Sequence, residues 1–438
     1  MYSGSTRESS SERNGTLGLW SWALYDWANQ PFATLIQTFV FSVYFTRSVA
    51  QSEASGSAQW GTALGVAGLV VAIAGPMLGA IADQGGRRKP WIVGFTLLCV
   101  IAIALMWFVE PSPEFASLAL VLVGLATLGS ELSLVFYNSL LPRLAAPDRV
   151  GRWSGWAWGL GYAGGLVCLA VALIAFIAPK GAWLGLNAEA AEPVRAVALF
   201  SAAWYLLFAL PLFIITPDVP GAQKPLAVMM RDGMRQLGQT FREVRRHGPI
   251  LRFLIAHMIY VDGLATLFAF GGIYAAGTFG LSNEMLLVLG IALNLAAGVG
   301  AFAFAWVDDR IGSKATVLLS LSALITCSTS ILLIDSSVLF WVLALTLGLF
   351  VGPAQAAGRS LLARMAPRRL QSQMFGFFAL SGKATAFLGP LLAGWITYWA
   401  SSQRVGMATI VVLFAIGLLV MLTVRGGRDD REPAPATG

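Results

Sequence analysis

Gly79-Ala80-Ile81-Ala82-Asp83-Gln84-Gly85-Gly86-Arg87-Arg88-Lys89 is a short loop set between two apolar runs, and the chain writes its pattern again as Asp309-Arg310-Ile311-Gly312-Ser313-Lys314. Asp83 corresponds to Asp309, Gly86 to Gly312 and Arg88 to Lys314, all at one offset of 226 residues. Further along, Ser139-Leu140-Leu141 with Arg143 is matched by Ser360-Leu361-Leu362 with Arg364, and Gly155 and Gly161 by Gly376 and Gly382, at an offset of 221. Similarity at this period marks a duplicated unit, and many secondary transporters are built from two repeated membrane halves.

Composition agrees. Apolar residues make up 57% of the chain and charged residues 12%, with a mean hydropathy of +0.72. A soluble domain carries about 25% charge, so much of this surface must face lipid. The net charge of +7 does not point to nucleic acid, because the basic residues sit in short loops where they orient a membrane protein. Cys99, Cys168 and Cys327 fall singly inside apolar runs, and His247 and His257 form no pair with ligand spacing, so neither a metal nor a cofactor is expected.

Runs of about 20 apolar residues cross a bilayer. Twelve are expected, near 18–46, 59–81, 90–109, 116–141, 153–178, 197–215, 250–276, 284–307, 314–334, 338–362, 372–399 and 405–424. The fold class is therefore an all-α membrane protein of two six-helix bundles, 18–215 and 250–424. The polar stretch 216–249 joins them. Arg231, Arg235, Arg242, Arg245 and Arg246 there alternate with Met230, Met234, Leu237 and Phe241, the pattern of a surface helix. The polar ends, 1–17 and 425–438, are expected to be disordered.

With both termini cytoplasmic, that side collects Arg87, Arg88, Lys89, Arg143, Arg149, Arg152, the linker arginines, Arg310, Lys314, Arg364, Arg368 and Arg369, against Arg47, Lys180, Arg195 and Arg404 opposite. This is the positive-inside bias. Pairs of small residues, Gly61 with Gly65, Gly75 with Gly79, Gly155 with Gly159, Gly161 with Gly165 and Gly348 with Gly352, permit close helix crossings.

The loop Gly79 to Lys89 resembles the signature loop of the major facilitator superfamily, and Asp309 to Lys314 is its second copy. The resemblance implies that Asp83, Gly86, Arg87, Arg88, Asp309, Arg310 and Gly312, with Arg143 and Arg364, gate the cytoplasmic side. A narrower likeness lies in Trp22-Ala23-Leu24-Tyr25-Asp26-Trp27-Ala28-Asn29, which resembles the opening of the vacuole effluxer family. Tyr137-Asn138, Leu141-Pro142, Gly161-Tyr162, Asp262-Gly263, Gln355, Arg359-Ser360, Gly382-Lys383-Ala384-Thr385 and Leu388-Gly389-Pro390 are similar to it too. Gln373 departs from the pattern, standing where an acid is expected. The family implies solute transport, linked in fungi to amino-acid release during autophagy.

Asp26, Glu131, Asp262, Arg359 and Lys383 fall inside apolar runs. A charge at mid-bilayer costs about 2.5–3.5 kcal/mol on insertion scales, so these five should line a wet cavity or pair with one another. Helical spacing adds Asn29 and Gln37 to the face of Asp26, Asn138 to that of Glu131, and Gln355 to that of Arg359. By family analogy the first, fourth, seventh and tenth spans line the central cavity, and those spans carry the polar stripes. Asp26 and Asp262 either meet an ammonium group or a proton, or lock helix ends by pairing with loop arginines such as Arg143 or Arg364. Glu131 lies deeper and is the first choice for a proton carrier, with a structural pair to Arg359 or Lys383 as the alternative. The two bases also fit a substrate carboxylate.

No Walker-type phosphate loop, Gly-x-Ser-x-Gly elbow or His-Glu-x-x-His pair occurs in the chain. The expectation is a monomeric secondary transporter, not an enzyme, that moves a small solute by alternating access with proton coupling. An amino acid or related zwitterion is favoured. The alternatives are efflux of drug-like or lipid-like amphiphiles, and a non-transporting receptor or scaffold. The membrane would be the plasma membrane in a prokaryote and vacuolar in a fungus.

Overall fold

The computed structural model describes residues 5–178, 185–218, 221, 225–246, 248–281, 283–383, 385–386 and 388–424. The tail 425–438 and Lys180 lie outside these, as do the side chains of Phe241, Arg242, Arg245 and Arg246. Every regular element among the described residues is helical. Hydrocarbon offers no partner to backbone N–H and C=O groups, and a helix satisfies them within itself.

The order is α1 (Ser5–Pro31), α2 (Phe41–Tyr44), α3 (Glu53–Gly85), α4 (Lys89–Leu105), α5 (Ala116–Leu144), α6 (Val150–Ala172), α7 (Glu192–Ile214), α8 (Leu226–Arg246), α9 (Gly248–Phe279), α10 (Asn283–Ile311), α11 (Ser313–Leu333), α12 (Ser337–Met365), α13 (Gln371–Lys383), α14 (Leu388–Ala400) and α15 (Gln403–Leu422). Eleven stretches among the described residues are long and apolar enough to cross a membrane.

Several expected spans change helix type along their length, as where α6 passes into π-helical Leu173–Ile177, and two depart most from a single helix. The first run starts earlier, at Ser5, and is α-helical only to Pro31. It continues as π-helical turns, Phe32–Phe39 and Phe45–Val49, on either side of α2. Pro31 has no N–H for the helical ladder, and Val40 N donates to Leu35 O, five residues back. The eleventh run divides into α13 and α14. Pro390 falls in the first turn of α14, where its missing N–H costs no helical bond. Asp262 Oδ1 then accepts the Gly389 N–H at 3.1 Å, one of the donors freed by the break.

The two halves meet along two crossings. In the first, α3 runs against α13, and in the second α6 runs against α10. A Cβ on Gly376 would lie 2.5 Å from the Gly75 carbonyl oxygen, and a Cβ on Gly155 would lie 2.5 Å from that of Ala301. Only a bare Cα lets these backbones approach so closely. Gly75 and Ala301 are 226 residues apart and Gly155 and Gly376 are 221 apart, so the crossings obey the two offsets of the repeat. Both lie toward the face that carries the signature loops, hereafter the basic face. Along the same stripe of α3, Gly61, Gly65 and Gly68 have nothing within 4 Å of an added Cβ. The halves are thus apposed at the basic face and part toward the other.

The linker helix α8 lies against α3. Met229 packs on Gly85, and a Cβ on Gly233 would sit 2.9 Å from Ile81 N. Met229, Gly233 and the partly buried Leu237 share one face at helical spacing. Met230 and Met234, expected with Leu237 on the apolar face, are exposed. They lie one residue off the stripe that touches α3.

Candidate functional site

The signature loops act as reciprocal helix caps. Asp83, at the end of α3, accepts the backbone N–H groups of Ser372 (3.2 Å) and Gln373 (3.0 Å) in the first turn of α13. It also receives Arg88 Nη2 at 2.6 Å. Asp309, at the end of α10, accepts the N–H of Arg152 in the first turn of α6 at 3.1 Å, and Arg364 Nη2 at 2.9 Å. A carboxylate at a helix N-terminus meets unpaired donors and the positive end of the helix dipole. Each acid therefore caps a helix of the opposite half. Gln373 and Arg152 are again 221 residues apart.

The glycines of the loops follow from their backbone. Gly86 sits at φ 79° and ψ −52°, and Gly312 at φ 91° and ψ 151°. These are conformations that L-residues with a Cβ rarely adopt. The lysines are paired as well. Lys89 Nζ donates to Thr216 O (2.7 Å), just past α7, and Lys314 Nζ to Leu422 O (3.0 Å), the last residue of α15. Each satisfies a carbonyl at a helix C-terminus. Arg143 Nε donates to Gln371 Oε1 (2.7 Å) and its Nη2 to Arg368 O (2.6 Å), tying α5 to the start of α13. Arg87 and Arg310 are exposed and outside this capping arrangement.

One helical layer inward, Arg359 of α12 reaches into the other half. Its Nη1 donates to Asp26 Oδ2 at 2.9 Å and Asn138 Oδ1 at 3.3 Å, its Nε to Ser154 Oγ at 2.9 Å and its Nη2 to Ser154 O at 2.6 Å. The side chains of this pair are almost wholly buried. One turn along α12, Gln355 Oε1 accepts the Tyr162 hydroxyl at 2.6 Å.

Deeper still, Lys383 Nζ meets Glu131 Oε1 at 2.7 Å, and both side chains are partly exposed, at 38% and 25%. At 1.5 Å rise per residue, Glu131 lies about 20 Å along α5 from Leu144, and Lys383 about 18 Å along α13 from Gln371. With a hydrocarbon core of about 30 Å, the pair sits near the middle of the protein's depth. The halves have begun to part there.

The structure thus brings Asp26, Asn138 and Arg359 together, and Glu131 with Lys383. Asp26 pairs with Arg359, not with Arg143 or Arg364, the loop arginines weighed for it. Asp262 stands apart, capping the start of α14, and among the described residues it pairs with no cation. Asn29 is buried on α1, and Gln37 Nε2 donates to Thr127 Oγ1 (3.2 Å) within its own half. Sequence reasoning passed over Asp308, which is buried, accepts Ser313 Oγ at 2.6 Å, bonds Ser360 Oγ and lies 3.5 Å from Arg364 Nη1. The doublet Asp308-Asp309 was its visible signal. It also passed over Asp218, whose carboxylate accepts the N–H groups of Arg88 (2.9 Å) and Lys89 (3.2 Å) at the start of α4.

A helical bundle in two pseudo-symmetric halves, closed on one face by reciprocal caps and carrying charge pairs between the halves, defines a transporter of the major facilitator superfamily. The family model described as "Vacuole effluxer Atg22 like" matches residues 61–154 and 148–434. The chain belongs to that family, a family of transporters and not of enzymes. It is 25% identical over 407 residues to the MFS-type transporter YxiO of Bacillus subtilis, covering 92% of this chain and 94% of that one. It is 24% identical to autophagy-related protein 22-1 of Phaeosphaeria nodorum, over 81% of this chain and 74% of that one. The fold is that of the major facilitator superfamily transporter FucP in its outward conformation, at a TM-score of 0.74 and 13% identity, covering 94% of this chain and 98% of that chain. The proton:xylose symporter XylE aligns at 0.67 and 14%, covering 94% and 95%.

Proposed function

We propose that this multi-pass membrane protein moves a small zwitterion, of the amino-acid class, between the two sides of its membrane by alternating access. One observation carries the reading: Glu131 and Lys383, of opposite charge and from opposite halves, meet at 2.7 Å near the middle of the protein while remaining partly open. An acid suits an ammonium group and a base suits a carboxylate. A zwitterion inserted between them would contact both halves at once, which couples cargo to the motion of one half against the other.

Proton coupling follows from the same pair. A proton taken up by Glu131 removes the negative partner of Lys383 and frees that ammonium for a cargo carboxylate. The effluxer description of the family supports export from a compartment or cell. The basic face is assigned to the cytoplasm, with the linker and both termini on that side. Asp26, Asn29, Gln37, Asn138, Asp262, Gln355 and Arg359 are assigned to the surrounding cavity and its closure.

The test is binding of amino acids, peptides, sugars and organic cations to the purified protein, read as thermal stabilisation at two pH values. A zwitterionic amino acid should raise Tm in the wild type but not in Lys383→Ala or Glu131→Gln. A hit confined to sugars or to apolar amphiphiles, or affinity unchanged in both variants, overturns the reading.

A further inference from the structure

The groups that hold Arg359 all belong to one half. Asp26 and Trp22 stand on α1, Tyr137 and Asn138 on α5, and Ser154 and Trp158 on α6. The guanidinium carbon lies 5.3 Å from the Trp22 ring centroid, 5.9 Å from that of Tyr137 and 5.6 Å from that of Trp158. Three aromatic faces, a carboxylate, an amide oxygen and a serine with two oxygens facing the guanidinium form the chemistry that recognises an organic cation. The walls are also braced without Arg359. Trp22 Nε1 donates to Tyr137 O at 2.9 Å and the two rings stack at 4.6 Å. Tyr25 joins Thr96, Ser133 and Tyr205 by hydroxyl contacts of 2.5–3.0 Å just behind.

Alternating access must open the basic face. Arg359 rides on α12 with the other half, so opening withdraws it from these walls. Among the described residues no other cation pairs with Asp26, and a carboxylate left buried without one is costly. We infer that the N-terminal half carries a receptor for a guanidinium or primary ammonium group, which Arg359 fills as a tethered occupant while the basic face is closed. An external organic cation takes its place when that face opens. This site is about one helical layer from Glu131 and Lys383 and does not depend on how that pair is read.

Two full-length variants expose the receptor by different routes. Arg359→Ala removes the occupant and spares every wall residue. Gly155→Trp keeps Arg359 but places bulk where α6 crosses α10, which holds the basic face open. The probe is ethylguanidinium chloride, compared with neutral ethylurea and with sodium chloride at equal ionic strength. Thermal unfolding and tryptophan emission are followed together, since Trp22 and Trp158 line the site. Both variants should show a saturable rise in Tm of a few degrees and a change in emission, with ethylurea and sodium chloride inert. The wild type, already occupied, should respond about tenfold more weakly. Adding Asp26→Asn should abolish the response. No saturable response in either variant overturns the inference, as does one that survives Asp26→Asn or is equal in the wild type. If Arg359→Ala fails to fold, Gly155→Trp decides alone.

Discussion

Asp83 of the N-terminal half and Gln373 of the C-terminal half are joined by a single hydrogen bond, from the Gln373 backbone N–H to the Asp83 carboxylate at 3.0 Å. That donor is a peptide group, so its partner has to be an acceptor whatever charge surrounds it. Asp309 and Arg152 repeat the arrangement on the other side of the molecule. Two such acids, Asp83 and Asp309, each bond backbone N–H groups of a helix in the other half and help hold the basic face shut.

Neutralising either acid should therefore open this face. Asp83→Asn and Asp309→Asn each lose a charged cap, worth about 0.5–2 kcal/mol, and their effects should add because the caps share no partner. Spin-label distances across the basic face should show a longer population in each single variant and more of it in the double. The charge swap Asp83→Arg with Arg88→Asp should fail to restore closure, since the Ser372 and Gln373 N–H groups would still lack their acceptor. Full restoration would mean that the ion pair, not the cap, matters.

Bulk at the close crossings should act in the same direction. Gly376→Leu places a side chain where even a Cβ would meet Gly75 backbone at 2.5 Å. Overpacking of this kind costs about 1–3 kcal/mol, here charged to the closed state alone. The expected result is loss of transport with retained folding, and faster thiol labelling of a cysteine introduced at Ser372. Unchanged labelling would show that the crossing yields without opening.

Gly86 and Gly312 should resist replacement even by asparagine. Asn eases the left-handed helical region, but ψ of −52° and 151° puts both glycines outside it. Gly86→Asn and Gly312→Asn should each lower stability by about 1–3 kcal/mol, measured by thermal unfolding in detergent. An Asn variant as stable as the wild type would contradict the backbone geometry.

For Glu131 and Lys383 the expected split is between stability and transport. Lys383 is more than a third exposed, so solvent screens the pair and its loss should cost about 1 kcal/mol or less. Glu131→Gln and Lys383→Ala should unfold near the wild-type temperature yet lose uptake into proteoliposomes. A large fall in Tm in both would assign the pair a structural role instead.

Much of this molecule was legible along the chain. Hydropathy period and length placed the membrane runs, because lipid demands long apolar helices wherever the backbone crosses it. The offsets 226 and 221 foretold which loops and glycines are equivalent, since duplicated segments that occupy equivalent surroundings keep the same residue types. Glycine at 86 and 312 and the five costly charges at Asp26, Glu131, Asp262, Arg359 and Lys383 could be singled out from chemistry alone. Their partners could at best be narrowed to alternatives, as with Arg359 or Lys383 for Glu131, which pairs with Lys383. Asp26 lies 333 residues from Arg359, and nothing local to either tells which of several cations will arrive. Nor does local spacing say that Asp83 caps a helix of the other half, that Met229 and not Met230 faces α3, or that the eleventh run breaks ahead of Pro390 while Asp262 bonds Gly389. Those outcomes depend on how two bundles meet, and that is set by backbone approach and by which polar groups each bundle leaves unsatisfied. Pattern along a chain reports the geometry of a helix with itself, and only the packed structure decides what each helix face meets.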